Sequence, residues 1–178
     1  MEKHYEFDEK ALEERLNIII NNIGPFVRAV NIANRDIHLN GEKLNYPNIV
    51  RDVHEAKLLG EEARDNTLPT VDAMIAELQE LDERIKENLY KYKNLSTEWY
   101  IINHDLEVSE YYKLRLTASK DILIDNLKKV ASLEESLRTI ENYLAEHPTE
   151  ESTCDMLLIV TDPSGEKVEK MYKLEAVH

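Results

Sequence analysis

The 178-residue sequence has few of the residues that break helices or build reactive loops: four glycines, five prolines and one cysteine. A single cysteine excludes an internal disulfide, and four scattered glycines are too few for a glycine-rich phosphate-binding loop. The chain contains no apolar run of the roughly 18 residues that cross a bilayer, and its first ten residues carry no apolar signal core. We therefore expect a soluble protein that is cytoplasmic or incorporated into an assembled particle.

Basic residues are also scarce. Lys and Arg total 22 against 36 Asp and Glu, which gives a formal net charge of −14. Duplex nucleic acid and anionic lipid surfaces are bound mainly through clusters of Lys and Arg, and the sequence has no such cluster. The composition therefore predicts neither direct nucleic-acid contact nor membrane contact.

Motifs for catalysis are lacking as well. The sequence His54-Glu55 begins like a zinc-binding His-Glu-x-x-His motif, but Leu58 stands where the second histidine is required. Cys154 and His147 could form a nucleophile pair, yet no glycine-rich oxyanion turn surrounds them. We expect no enzyme: no catalytic residue, no cofactor and no metal ion.

Acidic residues spaced one helical turn apart leave one enzymatic alternative open, an all-α, Mg²⁺-dependent nucleotide pyrophosphatase. The best such cluster consists of five acids: Glu61, Glu62, Asp65, Glu77 and Glu80. Among 36 acids such spacings arise readily by chance, and Glu77 and Glu80 fall off the apolar stripe described next. A metal site needs an enclosed pocket, so this alternative ranks below the others.

What the sequence does contain is a long stretch from Thr70 to His147 without glycine or proline, which favours helix. Apolar residues recur there every seven positions, at Val71, Leu78, Ile85, Tyr92, Trp99 and Leu106. A second set lies three residues further on, at Met74, Leu81, Asn88, Leu95 and Ile102. This heptad pattern is typical of a helix–helix seam, in which a buried Asn sets the register.

We interpret residues 70–147 as two long helices folded into an antiparallel hairpin, with Thr70 as the first N-cap. The heptad pattern loses phase after Leu106, and Asn103-His104-Asp105 can cap a new helix, which predicts a break near 103–107. A second cap signal lies at 94–98, and one straight rod is the alternative architecture.

Residues 1–68 are expected to form short helices. Asp8 is the predicted N-cap of the first, and Gly24-Pro25 its predicted end, with a second short helix from Phe26. A further helix is expected over 49–65.

Two β-hairpins are also expected. The dipeptide Asn40-Gly41 lies between two short apolar runs and predicts a hairpin over 36–45. Residues 148–178 are expected to form an acidic linker and a second hairpin around the turn sequence 162–165, whose exposed apolar side chains need a cover. Three candidates for that cover remain: residues 5–7 as a third strand, the 36–45 hairpin, or a neighbouring subunit.

The predicted fold is thus mainly α, with three parts: 1–68, 70–147 and 148–178. We expect a non-enzymatic structural or assembly protein that binds itself or other protein subunits through coiled-coil and β-ribbon contacts, for example an oligomeric subunit of a multisubunit particle such as a virion. The alternative is a small acidic inhibitor or adaptor that mimics nucleic acid and blocks a basic cleft on a target protein. The candidate interface residues are Leu78, Leu81, Ile85, Asn88, Tyr92, Trp99, Leu157, Ile159 and Tyr172.

Overall fold

The computed structural model of the chain describes residues 5–39, 43–94, 96–147, 153–161 and 166–175. Its four α-helices are α1 (Glu9–Asn34), α2 (Tyr46–Glu62), α3 (Leu68–Leu89) and α4 (Thr97–Glu146). Two π-helical segments follow α1 and α2, at Arg35–Leu39 and Ala63–Thr67. The three strands are β1 (Lys43–Asn45), β2 (Thr153–Thr161) and β3 (Lys167–Glu175). The prediction of a mainly α chain with a C-terminal β-hairpin is confirmed.

The first helix begins as predicted but does not end as predicted. The carboxylate of Asp8 accepts a 3.1 Å hydrogen bond from the backbone N–H of Ala11, which is an N-cap. The helix then continues through Gly24 and Pro25 to Asn34, so the expected second helix from Phe26 is the second half of α1. Proline disfavours the α conformation of the preceding residue partly through a clash with its Cβ, and Gly24 has no Cβ.

The break between the two long helices lies at the earlier of the two cap signals. Helix α4 starts at Thr97, and the Ser96 hydroxyl accepts a 3.1 Å hydrogen bond from the backbone N–H of Trp99. The predicted break near 103–107 is therefore wrong, because α4 runs through it without interruption. Asn103, expected to be part of the cap, instead donates a 3.2 Å hydrogen bond to Glu107 on the same helix.

Thr70 is not the N-cap of α3. That helix begins at Leu68 after Thr67, and Pro69 occupies its first turn, where its missing N–H breaks no intrahelical bond. The Thr70 hydroxyl donates a 2.8 Å hydrogen bond to the carbonyl oxygen of Asn66.

The predicted hairpin over 36–45 is not formed. Its expected first arm lies in the π-helical segment Arg35–Leu39, and its expected second arm is β1, which pairs in parallel with β3. The predicted turn at Asn40-Gly41 lies outside the described residues. Parallel partners are distant in the sequence, so the local turn signal gave no information about this pairing.

The chain divides into two compact units, each built from separate stretches of sequence. Unit 1 comprises 1–23 and 63–123, and unit 2 comprises 24–62 and 124–178.

In unit 1, α3 and the first part of α4 run antiparallel. Asp72 pairs with Lys120 at 2.6 Å, whereas Asp82, further along α3, pairs with the earlier Lys113. Arg15 on α1 forms a 2.7 Å ion pair with Glu77 on α3, so the first part of α1 lies alongside α3. The predicted antiparallel helical hairpin is therefore present.

The buried face of α4 follows a heptad spacing that includes polar residues. Within unit 1 its buried positions are Ile102, Asp105, Ser109, Tyr112, Leu116, Ser119 and Leu123. Within unit 2 they are Asn126, Val130, Leu133, Ser136 and Ile140. The heptad position seven residues after Ile102 is occupied by Ser109, which is polar but buried. The apolar pattern in the sequence is therefore interrupted there although the buried face continues.

Unit 2 packs α2 antiparallel to the second part of α4. Lys57 forms a 3.7 Å ion pair with Glu134, and Gly60 lies close to both Phe26 and Leu127. A Cβ at Gly60 would stand 3.3 Å from the buried Phe26 ring, so the absence of a side chain permits this approach.

The sheet of unit 2 has the strand order β1-β3-β2. β3 is central, parallel to β1 and antiparallel to β2, with Met156 opposite Tyr172 and Leu157 opposite Met171. Of the three candidate covers for the hairpin, the 36–45 segment supplies the third strand. Tyr5 instead packs in unit 1 with Ile85 and Ile102.

Candidate protein-binding surface

The two faces of the C-terminal sheet differ because side chains alternate along each strand. The side chains that point to one face are buried: Met156, Leu158, Val160, Tyr172 and Leu174. Their exposures are 1% or less, so this face belongs to the core of unit 2. Burial raises the pKa of the Tyr172 hydroxyl above its usual value of 10.0.

The opposite face carries three apolar side chains that are more than half exposed. Leu157 is 51% exposed, Ile159 56% and Met171 58%. Leu157 lies directly opposite Met171, and Ile159 is the next residue on the same face of β2. We call these three residues the apolar sheet face. Contiguous exposed apolar residues are characteristic of binding surfaces, whereas isolated ones are common everywhere.

The β2 strand is also an edge. In the described part of the chain it pairs only with β3, so the other side of a nine-residue strand offers backbone N–H and C=O groups for pairing. Edge strands are normally protected by charges, by proline or by being short. β2 has no charged residue after Asp155, and its sequence there is Met-Leu-Leu-Ile-Val-Thr. The other charged residues of the two strands lie on the central strand, β3.

The structure separates the three C-terminal residues predicted to form an interface. Leu157 and Ile159 lie on the apolar sheet face, and Tyr172 lies on the buried face. Five consecutive apolar residues, Met156 to Val160, are typical of a strand covered on both faces, but within the described chain only one face of β2 is covered.

The predicted interface residues of the helical hairpin lie in or next to the core of unit 1. Leu78, Ile85 and Asn88 are buried, and the Asn88 side chain donates a 2.9 Å hydrogen bond to the carbonyl oxygen of Arg84. Leu81 and Tyr92 are partly buried against the cluster of Tyr5, Ile85 and Ile102. Trp99 is partly buried and makes an edge-to-face contact with Tyr100, with ring centroids 5.2 Å apart. Their role in binding other chains stays a prediction.

Met171 and the buried polar contacts of unit 1 were not among the features predicted from the sequence. Met171 lies opposite Leu157, and the predicted turn at 162–165 does not give this register, because pairing 162 with 165 would set Lys170 opposite Leu157. Tyr5 donates a 2.7 Å hydrogen bond to the buried Asp105 carboxylate. The pKa of Tyr5 is raised, mainly by burial and secondly by this hydrogen bond. The partners of such a bond are a hundred residues apart, so no local pattern indicates it.

Unit 2 also contains a groove, with a volume of about 240 Å³. Its walls include Ile32 from α1 and Leu59 from α2, and Arg28 and Asp52 contribute charge. The pKa of Asp36 is raised to about 7. Burial is the largest cause, and the hydrogen bond with Asp52 and the negative charge of Asp52 add to it. Burial would raise the pKa of Asp52 too, but hydrogen bonds from Asp36 and Arg51 outweigh it and lower that pKa.

The acids considered for magnesium binding are largely engaged by arginines. Asp65 pairs with Arg64 at 2.9 Å, Glu77 with Arg15 at 2.7 Å and Glu80 with Arg84 at 2.7 Å. Among the described residues, no three His, Cys, Asp or Glu side chains come together in a way that could hold a metal ion. Over the same residues, no helix combines the length and apolar character needed to span a membrane.

No protein-family model, no curated protein and no solved structure matches the chain.

Proposed function

We propose that this protein is a non-enzymatic structural or assembly protein that binds other protein chains through its C-terminal sheet. The observation that carries the proposal is the unprotected edge strand β2, with the apolar sheet face beside it. An exposed edge with apolar neighbours recruits another strand or sheet, because pairing satisfies the free backbone groups and removes apolar surface from water.

The anchoring of the hairpin supports the same role. Five of its side chains are buried in unit 2, and the Tyr143 hydroxyl on α4 donates a hydrogen bond to the carbonyl oxygen of Asp155. A surface held in this way loses little conformational freedom on binding, which lowers the entropic cost of association. We propose the cytoplasm, or a particle assembled there, as its location, where a chain with one cysteine needs no disulfide.

The test is the size of the complexes that contain the protein in extracts of cells expressing it. We expect the wild-type chain to elute from a sizing column within larger protein complexes. The double variant Leu157→Lys/Ile159→Lys should elute as the free chain, because two charges on the apolar sheet face oppose its burial.

The control is Leu114→Lys, which places the same charge on an equally apolar residue that is 70% exposed on α4. It should co-elute with the wild type. Unchanged complexes for the sheet variant, or equal loss for the control, would contradict the proposal. Complexes that survive the sheet variant but dissociate in high salt would favour the acidic-mimic alternative, since screening weakens contacts between exposed charges.

A further inference from the structure

We propose that the partner at the C-terminal sheet is a second copy of this chain, with the two β2 strands paired antiparallel across a two-fold axis. This inference rests on the proposed function and adds the identity and geometry of the partner. Three features of the hairpin support it: the placement of its charges, the order of residues in β2, and its net charge.

The charges of the hairpin lie where they do not block edge pairing. β2 contains one charged residue, Asp155, near one end, and β3 contains five: Lys167, Glu169, Lys170, Lys173 and Glu175. β3 is the central strand and has neighbours on both sides. The opposite edge, β1, is only three residues long. Of the two edges, β2 is therefore the one that can form a long ladder.

The residue order of β2 is compatible with pairing to itself. Opposite residues in an antiparallel pair point to the same face, so exposed positions must meet exposed positions. A two-fold axis at Leu158 places Leu157 opposite Ile159 of the second copy, and the same contact occurs twice. Asp155 then lies opposite Thr161.

The two neighbouring registers are less favourable. An axis at Ile159 would place the apolar Leu157 opposite the polar Thr161. An axis at Leu157 would place Asp155 opposite Ile159, a charged side chain beside an apolar one. The register centred on Leu158 therefore pairs apolar with apolar and polar with polar positions, and apolar pairs directly opposite each other add to the stability of a sheet.

The strands β2 and β3 together carry no net charge, so charge repulsion does not oppose the pairing of two copies there. The whole chain carries a net charge of −14, so two copies repel each other overall. In β2 and β3 together, three lysines balance three acids, which leaves no net charge. A strongly basic partner would be attracted to the rest of the chain rather than to this neutral region.

The first arm of the test is the mass of the purified full-length protein by sedimentation velocity over a range of concentrations. We expect a dimer, with twice the 20.8 kDa of one chain. Ile159→Lys should shift the protein to monomer with an unchanged far-UV circular dichroism spectrum, and Leu114→Lys should remain dimeric.

The second arm determines the register by disulfide cross-linking in a Cys154→Ser background. Opposite residues have Cα atoms about 4.5–5.5 Å apart, which a disulfide can bridge. Chains carrying Leu157→Cys mixed with chains carrying Ile159→Cys should cross-link strongly. Each variant alone should cross-link several-fold less, because its cysteines lie diagonally.

A monomeric wild type at every concentration would overturn this inference. The proposed function would still stand if the sheet variant lost its complexes in cell extracts, so the two failures are distinguishable. A dimer that Ile159→Lys leaves intact, or one in which Leu157→Cys alone cross-links as strongly as the mixture, would also overturn the inference.

Discussion

Asp82 on α3 accepts a 2.5 Å hydrogen bond from the hydroxyl of Ser109 on α4, and both side chains are buried. Lys113, one turn further along α4, forms an ion pair with the same carboxylate. A buried charge is tolerated only when it is paired and hydrogen-bonded, so these contacts fix how the two helices meet.

Ser109→Ala should therefore destabilise the protein by about 1–3 kcal/mol, because it removes a hydrogen bond from a buried carboxylate. Ser119→Ala is the matched control on the same helix, since among the described residues the Ser119 hydroxyl bonds to the carbonyl oxygen of Arg115 in its own helix. It should change the free energy of unfolding by about 0.5 kcal/mol or less. Chemical denaturation measures both, and equal effects would show that the Ser109 bond contributes nothing particular.

Lys113→Met should cost about 3 kcal/mol, because it leaves the Asp82 charge buried without its cation. Lys120→Met removes an ion pair of the same kind, but one whose partners are 37% and 49% exposed. Its effect should stay below about 1 kcal/mol. A thermal melt of both variants checks this, and similar shifts in Tm would contradict the proposed difference.

Removing the hydroxyl group should have different effects on stability at two buried tyrosines. Tyr5→Phe should destabilise by about 1.5–3 kcal/mol, because Asp105 loses a hydrogen bond to a charged acceptor. The Tyr172 hydroxyl is buried with no hydrogen-bond partner among the described residues. Tyr172→Phe should leave stability unchanged or raise it by up to about 1 kcal/mol. Destabilisation by both substitutions would mean that Tyr172 has a polar contact of its own.

The Asp36 carboxyl should give the protein a specific pH dependence. Its folded-state pKa, about 7, lies above the ordinary value of 3.8, so between these values the folded protein holds a proton that the unfolded chain releases. The contribution of Asp36 to folding stability is therefore complete below pH 3.8. It is lost as the pH rises through the folded-state pKa of about 7. The free energy of unfolding of Asp36→Asn, relative to that of the wild type, should therefore rise from about pH 4 to 7. Above that range the difference between the two proteins should stay constant.

Denaturant titrations across that range measure this gap. Glu55→Gln on α2 controls for the loss of one negative charge near the groove. Parallel pH profiles for the wild type and Asp36→Asn would contradict the shifted pKa of Asp36.

The parts of the fold that follow from local chemistry could be predicted. The Asp8 and Ser96 caps each need only a side chain within three residues of a free N–H, and both signals were visible in the sequence. Choosing between Ser96 and the 103–107 signal was not possible locally, because Asp105 is held in the helix seam by the distant Tyr5.

The candidate site was predictable in composition but not in geometry. The apolar strand around Leu157 was recognised, as was its suitability for contact with other chains. Which of its faces would be buried depends on the packing of unit 2, and β1 reaches the sheet through a parallel pairing that joins distant segments. The contacts of the buried acids of unit 1 could not be predicted for the same reason, because their partners lie far away in the sequence: Ser109 for Asp82 and Tyr5 for Asp105.

The central claim is that this chain contacts other proteins through β2 and the apolar sheet face. Hydrogen exchange measured by mass spectrometry on the intact chain, assembled and dissociated, tests it most directly. The account predicts that amides within 153–161 exchange more slowly in the assembled form, while those of the four helices exchange at the same rate in both forms. Equal exchange at 153–161, with slowing confined to the helices, would contradict it.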